Sequence, residues 1–167
     1  MNTKKLTTLA LLTCVSLIIF VIESAIPPLV PIAGIKLGLA NIITLVVLAN
    51  FTPRDACLVT MARVTLATIF TGTAMSFLYS IFGAVFSLLL MITMHKIFVG
   101  KYLYLTSIFG ALAHNAGQII AALIITATPA VLFYFPVLMI SAIITGLFTG
   151  LCAHYANVYL VKIVRKI

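Results

Sequence analysis

Acidic side chains are nearly missing from this chain: its 167 residues include two, Glu23 and Asp55, and charged residues of both signs make up only 7%. A soluble domain typically carries about a quarter charged residues, so this chain lacks the means to cover a water-facing surface. Cysteine is also sparse. Cys14, Cys57 and Cys152 all lie in apolar runs, without paired spacing and without a His or carboxylate at metal-ligand distance, which makes them small packing residues rather than disulfide partners or metal ligands. There is no phosphate-binding loop of the Gly-x-x-x-x-Gly-Lys type, so any ATP that drives the protein is hydrolysed elsewhere. Neither an internal repeat of the kind found in many secondary transporters nor a low-complexity tail is present.

What the chain has in abundance is apolar sequence, 64% by count with a mean hydropathy of +1.33. This is the composition of an integral membrane protein, and its length fits a single transmembrane domain over residues 1–167. The net charge of +8 is not a nucleic-acid footprint, because the basic residues are scattered at segment ends instead of forming a stripe. Lys4 and Lys5 ahead of an apolar run resemble a signal peptide, but that run is too long for one and has no clear cleavage site, so it reads as a spanning helix. Apolar runs and breakers predict an all-α fold of six transmembrane helices at about 6–26, 35–51, 53–70, 74–94, 103–126 and 136–161. Pro27, Pro28, Pro31 and Gly34 predict a stiff cap after the first. Thr52-Pro53-Arg54-Asp55 is a well-signed helix start, and Thr71-Gly72-Thr73 is the place for a turn in an otherwise overlong helix. Basic residues cluster at the start, in alternate connections and at the end, so the positive-inside rule puts both termini in the cytoplasm of a multi-pass plasma-membrane protein.

Against this background a few polar groups stand out. Lys36 and Glu23 fall at the outer ends of helices joined by the proline segment, and Asn41 lies just inside the second helix. Arg63 is about 15 Å into its helix, near mid-membrane. His114 and Gln118 are four residues apart and Asn115 and Gln118 three, so the three are expected on one broad polar face. Charges in hydrocarbon are costly and by default mark a pathway or a ligand. Two readings stay open for the set. One is an internal lock, with Glu23 paired to Lys36 and Arg63 bonded to carbonyls and amides. The other is a ligand site, favoured because Arg63 has no obvious buried carboxylate nearby to balance it. His114 alone reads as a core histidine, and Gly146-x-x-x-Gly150 and Ala113-x-x-x-Gly117-x-x-x-Ala121 read as helix-packing faces.

Taken in order, Ile26-Pro27-Pro28, Gly34-Ile35-Lys36-Leu37-Gly38-Leu39-Ala40-Asn41-Ile42, Gly110-Ala111-Leu112-Ala113-His114-Asn115-x-x-Gln118 and Thr145-Gly146-Leu147-Phe148-Thr149-Gly150 resemble the Gx transporter family. Its members are commonly labelled heptaprenyl diphosphate synthase component I. The family in turn resembles the substrate-capturing S components of energy-coupling-factor (ECF) vitamin importers. That resemblance implies a six-helix bundle that binds a small polar or anionic nutrient in its outer half and works with a transmembrane coupling subunit and two ATPases. It implies substrate binding by Lys36, Asn41, Arg63, His114, Asn115 and Gln118, and docking of the coupling subunit at Ala10 and Cys14, where Ala-x-x-x-Ala is usual.

The synthase label points to a different expectation, a non-catalytic membrane accessory subunit. Prenyl diphosphate synthases chelate magnesium through aspartate-rich motifs, whereas this chain has one aspartate, Asp55, and lacks the oxygen ligands that hard Mg²⁺ requires. No catalytic residue, cofactor or metal site is therefore expected. A purely structural membrane protein is the third reading.

Overall fold

The computed structural model describes residues 3–26, 36–71 and 74–164. Within them the chain is all-helical: α1 (Thr3–Ser24), α2 (Asn41–Asn50), α3 (Pro53–Thr71), α4 (Ala74–Ile97), α5 (Leu103–Thr126), a 3₁₀ turn (Pro129–Tyr134) and α6 (Phe135–Val164). The expected proline cap at 27–34 and Gly72 fall outside the described residues, although α3 and α4 end and begin on either side of the expected turn.

Four of these stretches are long and apolar enough to cross a membrane: Thr3–Ser24, Ala74–Ile97, Leu103–Thr126 and Pro129–Leu160. At 1.5 Å per residue, the 22 residues of α1 reach about 33 Å, close to the thickness of the hydrocarbon core. The other two helices differ for separate reasons. α3 carries Arg54, Asp55 and Arg63, which lower its hydropathy. α2 has only 10 residues, about 15 Å of helix.

The shortness of α2 corrects the expected start at residue 35. Residues 36–38 are non-helical, and Gly38 has φ +82°, a left-handed conformation that only glycine adopts cheaply. The apolar run continues through this stretch, but the backbone does not enter the helix until Asn41.

α2 is the central element and packs against each of the other five helices. Asn41 and every residue from Ile43 to Leu48 are buried, as expected of a helix apolar all round. α4, α5 and α6 form a close-packed antiparallel layer around it. A β-carbon on Gly117 would come within 2.7 Å of the Phe82 carbonyl oxygen, on Gly146 within 2.7 Å of Ile108 Cα, and on Gly150 within 2.6 Å of Tyr104 Cα. The glycines thus let the backbones meet, which is the role read for them in the sequence.

α1 is held differently: its backbone approaches only α2 and α3 among the described helices, while its Leu9 and Leu12 share an apolar cluster with Leu88 and Met91 of α4. It runs parallel to α3, and Lys5 Nζ lies 2.8 Å from Asp55 Oδ2 near the two N-termini. Asp55 also closes a capping box: its carboxylate accepts from Thr52 N at 2.9 Å and from Thr52 Oγ1 at 2.6 Å, while its own amide donates to Thr52 Oγ1 at 3.3 Å.

Candidate functional site

The largest concentration of buried polarity lies where α1, α3, α4 and α5 surround residues 36–40. The short non-helical segment is fastened from two sides. From α1, Glu23 Oε1 accepts the Gly38 amide at 2.6 Å, with the Ala40 amide also close to the carboxylate. The Lys36 ammonium donates to Ser24 Oγ at 2.5 Å and stands 3.4 Å above the centre of the Phe20 ring. From α5, Gln118 brackets the Lys36 peptide. With its amide turned to satisfy its surroundings, Nε2 donates to Lys36 O at 3.0 Å, and Oε1 accepts from Lys36 N at 3.1 Å and from His114 Nε2 at 3.2 Å.

His114 is wedged between two glycines. A β-carbon on Gly83 of α4 would fall 2.7 Å from its Cε1, and one on Gly38 would fall 3.0 Å from its Cδ2. The glycines at 38 and 83 therefore make room for an imidazole that links Gln118 to the interior.

Arg63 completes the cluster from α3. It is buried at 3% exposure, and its Nε and Nη2 have no hydrogen-bond partner among the described residues. Glu23 lies within electrostatic range of both Arg63 and Lys36. This corrects the expectation that Arg63 has no buried carboxylate near it: α1 and α3 lie side by side, so the last turn of one brings a carboxylate to the other. The expected Glu23–Lys36 ion pair is likewise absent among the described residues, because the carboxylate is taken by the Gly38 amide and the ammonium by Ser24 and Phe20.

Between these groups is a cavity of about 10 Å³ for solvent centres, room for about one water. Glu23, Lys36, Arg63, Ser80, His114 and Gln118 supply its polar wall, with Phe20 and Gly38 beside them.

Of the six residues expected to bind a substrate, Lys36, Arg63, His114 and Gln118 converge on this cavity. The other two have different partners. Asn41 Nδ2 donates to Ser87 Oγ of α4 at 3.3 Å, and Asn115 Nδ2 donates to Leu138 O of α6 at 2.7 Å. The expected single face on α5 is thus split, His114 and Gln118 turning to residues 36–40 and Asn115 to α6. Sequence reasoning left Phe20, Ser24, Gly38, Ser80 and Gly83 out of the site. Phe20 is detectable as the residue three before Glu23 on α1, whereas the two glycines declare themselves only through the His114 ring they border. Ala10 and Cys14 are exposed on one side of α1, four residues apart.

A helical bundle with apolar helices of membrane-crossing length and a buried cluster of cations and amides defines a polytopic membrane protein, with both acidic side chains occupied in contacts within the bundle. Its residues 12–156 match the model of the family described as heptaprenyl diphosphate synthase component I, and the chain belongs to that family. Component I is a membrane-associated accessory subunit and is not the catalytic one. Neither a curated protein nor a solved structure matches the chain.

Proposed function

We propose that this protein is the non-catalytic membrane subunit of a heptaprenyl diphosphate synthase, holding a separate catalytic chain at the bilayer that receives the apolar product. The observation that carries this reading is family membership over residues 12–156, in a chain whose only acidic residues are already engaged, Glu23 with the Gly38 amide and Asp55 with Lys5 and Thr52. Diphosphate chemistry on magnesium needs several free oxygen ligands, so that chemistry belongs to the partner. The test is co-expression with the catalytic component from the same genome. The catalytic component is expected to sediment with membranes only when this chain is present. If it stays soluble in both cases, the accessory reading falls.

A second reading has its own support: the bundle captures a small polar or anionic nutrient for an ECF-type importer. The small cavity with polar groups on its wall, a buried guanidinium among them, favours it. In this reading Lys36, Arg63, His114 and Gln118 face the ligand, Asn41 and Asn115 brace the helices around it, and Ala10 and Cys14 dock a transmembrane coupling subunit that works with two ATPases. Replacing Ala10 by Trp should prevent co-purification with the coupling subunit while small molecules retained by the protein are unchanged. Normal co-purification of that variant would remove the docking assignment.

A further inference from the structure

Arg63 is the buried cation whose bonding the bundle leaves unfinished. Its side chain is 3% exposed, and Nε and Nη2 both lack a hydrogen-bond partner among the described residues. In a planar guanidinium these two N–H groups point from the same edge. That edge is the fork that meets both oxygens of a carboxylate.

The charges around it leave room for one more anion. By formal charge Arg63 and Lys36 bring two positive charges into the cluster and Glu23 one negative, which leaves one positive charge over. Glu23 does not close the Arg63 fork: its Oε1 accepts from the Gly38 amide at 2.6 Å, and Arg63 Nε and Nη2 stay without a partner among the described residues. Two other polar neighbours are also occupied. Lys36 is tied to Ser24 and Phe20, and Gln118 to the Lys36 peptide and His114.

We propose that the Nε–Nη2 edge of Arg63, a residue lining the cavity together with Glu23, Lys36, Ser80 and Gln118, is the binding site for one carboxylate group of a small-molecule ligand. The inference rests on the reading of the bundle as ligand-binding and narrows it to a ligand class. A monocarboxylate matches both the fork and the single uncompensated charge. A phosphate dianion exceeds that charge and brings further oxygens toward Glu23. The space now present accepts about one water, less than a carboxylate group needs, so the ligand enters only when residues 36–38 lift. Lifting that segment breaks the Gln118 bracket on Lys36. Binding and release of the segment are therefore one event.

The test uses the full chain purified in detergent, with acetate and benzoate as probes. Acetamide, benzamide and inorganic phosphate are compared at matched ionic strength. Each carboxylate is expected to raise the melting temperature saturably, and the amides and phosphate are not. Arg63→Gln should abolish the rise. Arg63→Lys, which keeps the charge and loses the fork, should raise the half-saturating concentration at least about tenfold, equivalent to about 1.4 kcal/mol. If Arg63→Gln does not fold, the lysine variant and the acid–amide comparison decide. An equal rise with the amides, an unchanged half-saturation in Arg63→Lys, or no rise with either acid overturns the proposal and leaves a cavity for water only. Mass spectrometry of small molecules retained by the purified chain separates the two levels of the claim. A retained neutral or cationic compound, lost in Gln118→Leu, keeps the ligand-binding reading and removes the carboxylate. Nothing retained, together with no response to acids, removes both.

Discussion

Replacing Gln118 by Leu tests whether α5 latches residues 36–40. The substitution keeps most of the side-chain volume, so its cost comes from lost polarity rather than from a cavity. Three hydrogen bonds disappear: 3.0 Å to Lys36 O, 3.1 Å from Lys36 N and 3.2 Å from His114 Nε2. Each is worth about 0.5–1.5 kcal/mol by general experience, with about 0.6 typical between membrane helices. A loss of about 2 kcal/mol is therefore expected, and it should be concentrated in the segment because two of the three bonds hold its backbone. At about 1.4 kcal/mol per factor of ten, the amides of residues 36–41 should exchange hydrogen roughly 30-fold faster than in the parent protein. Exchange mass spectrometry in detergent reads this peptide directly, with peptides from α6 as an internal reference. Unchanged exchange in 36–41, with a uniform fall in protection elsewhere, would refute the latch and make Gln118 a general packing residue.

Gly150→Leu should separate α5 from α6, since even a β-carbon would fall 2.6 Å from Tyr104 Cα; a melting temperature within a degree of the parent would contradict the packing. Asp55→Asn weakens the Thr52 capping box and removes the Lys5 ion pair, and should cost about 1–2 kcal/mol in thermal or denaturant unfolding. Adding Lys5→Ala to Asp55→Asn should then cost little more, and fully additive losses would show that the two side chains do not act together. In a Cys-free background, a cysteine at the exposed Lys101 should be labelled by an impermeant reagent only after the cells are opened. Labelling of intact cells would invert the expected topology.

The parts of the fold legible in the sequence are those set by local signals. Thr52 and Asp55 announced a helix start because capping acts over three residues, and Gly146 and Gly150 announced close helix approach because small residues four apart share a face. α5 was found with its observed bounds, since Lys101 and Tyr102 precede it and Thr128-Pro129 follow it. The late start of α2 was not legible. Leu37, Leu39 and Ala40 carry the apolar run on into the helix, and the departure of residues 36–40 from it is secured by Glu23 and Gln118, groups on other helices. Part of the site escaped for a related reason. One residue along a helix is about 100° of rotation, so His114 and Asn115 serve different neighbours although a single broad face seemed to contain both.

The placement of Glu23 joins the polar cluster to the least embedded part of the bundle. α4, α5 and α6 meet backbone to backbone at glycines, and close-packed layers of this kind resist deformation. The backbone of α1 approaches α2 and α3 rather than those three helices, and it meets α3 through an ion pair at one end and through Phe20 and Ala67 at the other. Yet α1 carries three of the groups that hold residues 36–38: Phe20, Glu23 and Ser24. Gln118 holds the same segment from the rigid layer. The segment is therefore fastened between the glycine-packed layer and α1, and displacement of α1 strains its contacts with Gly38 and Lys36. Ala10 and Cys14 lie on the exposed side of this same helix, between the Lys5 ion pair and the Phe20–Ser24 contacts. Under the proposal that a coupling subunit docks at Ala10 and Cys14, that subunit would grip the helix whose last turns supply Phe20, Glu23 and Ser24 to the polar cluster.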